Sequence, residues 1–182
     1  MLEDFDGLLS RAQLGSADAF TEIYADLAPV VHGYLRGRGV RDAEDVTSDV
    51  FISVFTGIQR FSGGQPQFRS WVMTIAHRRA VDVWRRAAHS PVEAPYEPLE
   101  DVRSSASAEG VALDNLGAES VAAVLARLSD DQRQVLVLRV VADLTVEQVA
   151  EVTGKTSGAV KALQRRGLAT LRRILSGEAV PL

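Results

Sequence analysis

The sequence predicts an all-α protein of two small helical domains joined by a flexible linker. Three observations lead there. Apolar residues recur at helical spacing from about residue 15 to 88 and again from about 118 to 175. No segment sustains the alternation of a half-buried strand between turn signals. Between the two helical stretches the periodicity stops: HSPVEAPYEPLEDVRSSASAEG holds three of the chain's six prolines, several serines and a cluster of acids, the composition of a tether rather than a core. The expected division is a first domain over 1–88, a linker over 89–117 and a second domain over 118–182.

The elements follow in order. A helix is expected from Phe20 to about Arg38, stopping in the GRGV turn. In DAEDVTSDVFISVFTGI, Asp42 is placed to cap and Asp45 lies three residues on. Val46, Val50, Phe51, Val54, Phe55 and Ile58 then make one apolar side, with Asp45, Asp49 and Ile52 on the other and the two carboxylates one turn apart. FSGGQPQ reads as a loop, and a helix from about Phe68 to Arg86 follows. Beyond the linker, helices are expected near Glu119–Arg127, Asp130–Ala142, Thr145–Val152 and Ser157–Leu175.

The last two helices form a recognisable pair. Thr145 with Gln148 makes a capping box, Val146, Val149 and Val152 supply a buried side, and Gly154 is placed to stop the helix. A three-residue turn containing that glycine leads into the next helix, which Ser157 can cap, and a short glycine turn between two helices marks a helix-turn-helix. At 100° per residue, Val160, Leu163, Gly167, Leu171 and Ile174 share one stripe, while Lys161, Arg165 and Arg172 form a neighbouring basic stripe with Arg166 and Arg173 beyond. Such a helix packs by one edge and presents cations to a phosphate backbone with the other. A basic solvated face on a purely structural helix reads the same way, and the tight capped turn is what favours DNA.

Charge is arranged in blocks. The chain is acidic overall, at −4, yet the balances over 1–60, 61–90, 91–131 and 132–182 are −5, +4, −7 and +4. Two basic islands on an acidic body suit a polyanion, which responds to local patches. With no cysteine and three scattered histidines, His32, His77 and His89, neither a disulfide framework nor a zinc cluster is expected, and no cofactor is implied. The sequence has no apolar run of membrane-spanning length, and MLEDFDGLLSRAQ is acidic where a signal peptide is basic, so a cytoplasmic protein without membrane insertion is expected.

Two separate stretches carry a family resemblance. LSDDQRQVLVLRVVADLTVEQVAEVTGKTSGAVKALQRRGLATLRR, at 128–173, resembles region 4 of bacterial sigma factors, the helix-turn-helix that reads the minus-35 promoter element. RDAEDVTSDVFISVF at 41–55 and FRSWVMTIAHRRAVDVWRR at 68–86 resemble sigma region 2, with its core-polymerase-binding helix and its minus-10 recognition and melting helix. Two such motifs in the right order, with only these two domains, are similar to the extracytoplasmic-function sigma factors.

The resemblance implies a promoter-specificity subunit that is not an enzyme. Asp45, Ser48 and Asp49 would dock on the β′ clamp helices of core RNA polymerase; capping and the helix dipole offer another reading of Asp42 and Asp45, preferred for Asp42, while docking is preferred for Asp49. Gln65, Arg69, His77, Arg78 and Arg85 would face minus-10 DNA, whose flipped base needs a pocket beside a positive groove. Ser157, Lys161, Ala162, Arg165 and Arg166 would read minus-35 DNA, and region 4 would contact the β flap. An anti-sigma factor is the implied regulator, and the acidic linker would pass near the RNA exit path. The chain departs from the common pattern at Ser48, Arg78 and Leu163, where Gln, Asn and Arg are frequent. Trp71 and Trp84 are expected as core anchors, and Arg79 as a stem laid over the core.

Two other classes stay open on residues alone. An autonomous regulator would use the same helix-turn-helix without polymerase, as a dimer on symmetric half-sites. An enzyme has little to work with: there is no phosphate loop and no nucleophile with an identifiable base, and no small-molecule substrate is implied.

Overall fold

The computed structural model describes residues 4–89 and 121–176, apart from 122. The expected linker beyond His89, which ends the last helix of the first unit, and the tail from 177 onward lie outside the described residues. Every regular element described is helical. In chain order they are α1 (Phe5–Gln13), α2 (Ala17–Gly37), α3 (Ala43–Gly57), a 3-10 turn (Ile58–Arg60), α4 (Gln65–His89), α5 (Asp130–Val140), α6 (Val146–Thr153) and α7 (Ser157–Leu175). Residues 123–126 add a helical turn ahead of α5.

The first helix was not anticipated. Asp4 caps it from its side chain, and Phe5, Leu8, Leu9 and Ala12 bury one face. Its last residue, Gln13, reaches across the chain and donates from Nε2 to the carbonyls of Ile58 (3.0 Å) and Phe61 (2.8 Å). The loop that leads into α4 is thereby tied from below. Phe5, Phe61, Phe68 and Trp71 close around the same point at ring separations of 5.0–5.5 Å. Trp71 is the expected anchor.

Several caps differ from expectation. Asp42 stands at the N-cap of α3, yet its side chain makes no capping bond. Thr156, not Ser157, caps α7, its hydroxyl accepting from Ala159 N, and Ser157 is the first helical residue. A threonine one place earlier leaves the helix its full first turn, so the cap moves and the helix does not. The box at Thr145 and Gln148 is formed as expected, and Gly154 ends α6 with φ 68°, a conformation that glycine takes without a Cβ penalty. A second box, Ser129 with Gln132, starts α5. Phe55, expected on the covered side of α3, is 56% exposed. At that end of α3 the ring of Phe20 lies edge-on to it, 4.9 Å away.

The buried residues form one continuous apolar cluster that runs from Phe5 to Val160. Helices from both ends of the chain contribute: α5 packs on α2, and α6 packs on α4. The two expected units are therefore in contact among the described residues, a feature that helical periodicity does not encode.

Candidate nucleic-acid interface

Three surfaces carry the residues that the sequence marks. On α3, Asp45, Ser48 and Asp49 are all exposed. Ser48 folds its hydroxyl back to the carbonyl of Glu44 at 3.2 Å, leaving the two carboxylates as the polar feature of this face. Beside them stands an apolar strip that residue spacing only half revealed: Ile52 is 64% exposed and Phe55 56%, with the ring of Tyr24 of α2 set edge-on to Phe51 at 4.7 Å. Carboxylates flanked by uncovered apolar side chains make a docking face for a cationic, partly apolar partner. A shallow cavity of about 440 Å³ opens between α2 and α3, lined by Tyr24, Pro29, His32, Glu44 and Thr47.

On α7 the two predicted stripes separate as expected. Val160 and Gly167 are buried and Leu163 is half-buried, whereas Lys161, Arg165, Arg166 and Arg172 are exposed. Ser157 and Ala162 are half-buried at the edge of this face. A Cβ on Gly167 would stand 2.8 Å from Leu136 Cδ1, so the glycine lets α7 approach α5 closely. Lys155, in the turn before α7, pairs at 2.9 Å with Asp131 of α5. That pair ties the turn before α7 to the start of α5. Lys161, Gln164, Arg165, Leu168 and Arg172 border an open groove along the helix. Cations one and two turns apart on a helix anchored by its other edge are placed to straddle a phosphate backbone.

The third surface, on α4, splits the candidate set. Arg78 and Arg85 are exposed, and Arg85 pairs with Asp82 at 3.8 Å. Gln65, Arg69 and His77 are half-buried, and Arg69 and His77 point into the junction with the second unit. Arg69 Nε donates to the carbonyl of Ala142 at 2.7 Å. Beside Gln65, the carbonyl of Pro66 accepts from Gln148 Nε2 at 2.9 Å. His77 Nδ1 lies 3.0 Å from the hydroxyl of Tyr34 and 3.1 Å from the amide nitrogen of Gln134. Burial lowers the affinity of this imidazole for a proton, and the nearby cations Arg38, Lys155 and Arg78 add to the effect. Tyr34, fully buried, has its phenol pushed up to about 12 by the same desolvation.

Arg38 completes the junction. It is only 7% exposed, donates from Nη1 to the carbonyl of Asp130 at 2.7 Å, and lies over the Trp84 ring at 4.5 Å. Burial lowers its proton affinity too, with Tyr34 and Asp130 opposing that effect. Trp84 packs against the core as expected and also serves as a platform for the Arg38 cation. Arg79 is half-buried and donates to Ser53 Oγ at 2.9 Å, bracing α4 against α3.

Residues 23–90 match the family model for Sigma-70 region 2, and residues 124–173 match that for Sigma-70, region 4. The chain belongs to the ECF RNA polymerase sigma factors. It is 32% identical over 174 residues to the ECF RNA polymerase sigma factor BldN of Streptomyces coelicolor, covering 94% of this chain and 66% of that one. It is 32% identical over 177 residues to ShbA of Streptomyces griseus, covering 92% of this chain and 93% of ShbA. Among solved structures, CnrH in complex with the cytosolic domain of CnrY shares the fold, with a TM-score of 0.71 at 22% identity over 97% of this chain and 100% of CnrH. Proteins of this ECF family bind core RNA polymerase and direct it to promoters. Among the described residues of this sigma factor no helix is long and apolar enough to cross a membrane. None of those residues forms a His, Cys, Asp and Glu group suited to a metal ion.

Proposed function

We propose that this chain is a promoter-specificity subunit with no catalytic chemistry of its own, working in the cytoplasm and built as region 2 over 1–88, a linker over 89–117 and region 4 over 118–182. The observation that carries the reading is the presence on one chain of two oppositely charged exposed faces: the acidic and apolar face of α3 and the basic face of α7. The α3 face, through Asp45, Ser48 and Asp49, docks on the β′ clamp helices of core polymerase, with Ile52 and Phe55 giving apolar area beside the charges. The α7 face reads minus-35 DNA, with Lys161, Arg165 and Arg166 on phosphates and Ser157 and Ala162 near base edges, while region 4 also meets the β flap. Gln65, Arg69, His77, Arg78 and Arg85 serve minus-10 recognition and opening. The acidic linker passes near the RNA exit path.

An anti-sigma factor is the expected regulator. The solved relative CnrH is described in complex with the cytosolic domain of CnrY, and the exposed apolar strip on α3 is a surface such a protein would cover.

Run-off transcription with core RNA polymerase on a pool of promoter fragments tests the reading. Defined start sites are expected only when the protein is added, with loss on Asp49→Arg through failed docking and on Lys161→Glu through failed promoter binding. Specific retardation of duplexes by the protein alone, with no effect on core enzyme, would instead support an autonomous regulator.

A further inference from the structure

Between the 3-10 turn and α4 the chain reads FSGG, from Phe61 to Gly64. A serine and two glycines have little side chain with which to hold a shape, and glycine has the most backbone freedom to lose. Ser62 and Gly63 are exposed. Gly63 takes φ 145°, and a Cβ there would stand 3.1 Å from Gln67 Cβ and 3.2 Å from Phe61 Cζ. The turn is nevertheless held at both ends, and the same helix, α1, reaches both.

At the entry, Gln13 spends both hydrogens of its side-chain amide on this segment. Nε2 donates to the carbonyl of Ile58 at 3.0 Å and to that of Phe61 at 2.8 Å. The Phe61 carbonyl belongs to the peptide that enters Ser62, so the second bond pins the first link of the turn. At the exit, Phe68 bonds back from its amide to the Gly64 carbonyl at 3.0 Å. Its ring is buried against Phe5 of α1 at 5.4 Å and against Phe61 at 5.0 Å. Gln65 and Arg69, both in the proposed minus-10 set, lie on the first turns of α4 directly beyond.

A base drawn out of a duplex loses its stacking and pairing, and a receiving loop that must first be ordered adds a further cost to that step. A cradle fixed beforehand avoids it. We propose that Gln13 is a positioning residue for promoter opening: through the Ile58 and Phe61 carbonyls it holds the exposed turn Ser62–Gly64 in the shape that receives an unstacked minus-10 base beside Gln65. The inference rests on the sigma-factor reading above and deepens its minus-10 part. Gln13 acts through the turn and not on the DNA, because its donors are committed to protein carbonyls.

The test uses holoenzyme assembled from core polymerase and the full-length chain, with a promoter found in the run-off assay. Two probes are compared: a single-stranded oligonucleotide carrying the non-template minus-10 segment, against a scrambled strand, and a duplex carrying only the minus-35 element. Gln13→Leu removes the donor and should weaken binding of the minus-10 strand by about tenfold, leaving the minus-35 duplex unaffected. Permanganate reactivity of minus-10 thymines should fall in parallel. Gln13→Asn keeps the amide but is one methylene too short to reach both carbonyls, and should reproduce the loss; it carries the test if Gln13→Leu fails to fold. Gln13→Lys restores a donor long enough to reach both and should recover most of the strand affinity. Unchanged strand binding in the first two variants would overturn the proposal. So would equal losses on both probes that follow the urea midpoint, which mark a merely structural residue, or a Gln13→Lys no better than Gln13→Leu. If wild-type holoenzyme itself does not distinguish the minus-10 strand from the scrambled one, the minus-10 reading falls and this proposal falls with it.

Discussion

The hydroxyl of Tyr34 lies 3.0 Å from Nδ1 of His77, joining the fully buried end of α2 to the middle of α4. In the tautomer protonated at Nε2, Nδ1 accepts from the phenol, and the amide nitrogen of Gln134 on α5 stands 3.1 Å from the same nitrogen. A doubly protonated imidazole has no nitrogen free to accept from either.

This relationship makes the interdomain contact sensitive to pH. The groups facing the ring are Tyr34 and Arg38 from α2, Arg78 beside it on α4, Gln134 from α5, and Lys155, itself paired with Asp131, from the turn before α7. The closed state holds the imidazole's proton affinity below its ordinary value near 6.5. Above that pH both closed and open forms carry a neutral ring, and closure is at full strength. As the pH falls below it, the open form takes up a proton that the closed form resists, so closure weakens. Small-angle scattering from pH 8 to 5.5 should show expansion below about pH 6.5. His77→Phe, which cannot be protonated, should flatten that dependence.

Close approach of α7 to α5 depends on Gly167. Valine there would meet Leu136, 3% exposed, at less than ordinary contact distance. We expect Gly167→Val to lower unfolding free energy by about 1–3 kcal/mol in urea titration. An unchanged midpoint would mean that Leu136 has room to turn away.

Gln148 holds two positions at once. Its Oε1 accepts from Thr145 N at 2.8 Å within the capping box, and its Nε2 donates to Pro66 O across the junction. Gln148→Glu keeps an acceptor for the cap and removes the donor. The stability of region 4 should hold while the free protein opens, read by scattering. Thr145→Ala should instead cost about 1 kcal/mol of stability, read by thermal melting.

Promoter binding by the holoenzyme should depend on salt through the exposed cations of α7. Each of Lys161→Ala, Arg165→Ala and Arg166→Ala is expected to make the slope of log affinity against log salt shallower by about 0.9. A residue whose removal leaves the slope unchanged does not neutralise a phosphate. Filter binding across a salt series gives that slope.

Local chemistry sufficed for much of this. The capping box at Thr145 and Gln148, the stop at Gly154, and the division of α7 into a buried stripe and a basic stripe are all set by neighbours within a turn or two, and they stand in the structure as the spacing implied. The acidic face of α3 was legible for the same reason. Helix α1 was not, because its amphipathic stretch is short and its value lies in distant partners: Gln13 bonds carbonyls 45 and 48 residues away. The roles of Arg38 and His77 were equally hidden. Each derives its environment from residues on α5 or beyond, and no periodicity records which carbonyl a guanidinium will meet. Sequence alone thus determined the helices other than α1, their charged faces and the family. Only tertiary packing decided that the two units close on one another and which candidate DNA contacts they cover, because the free energy of that contact resides in pairs of groups brought together from opposite ends of the chain.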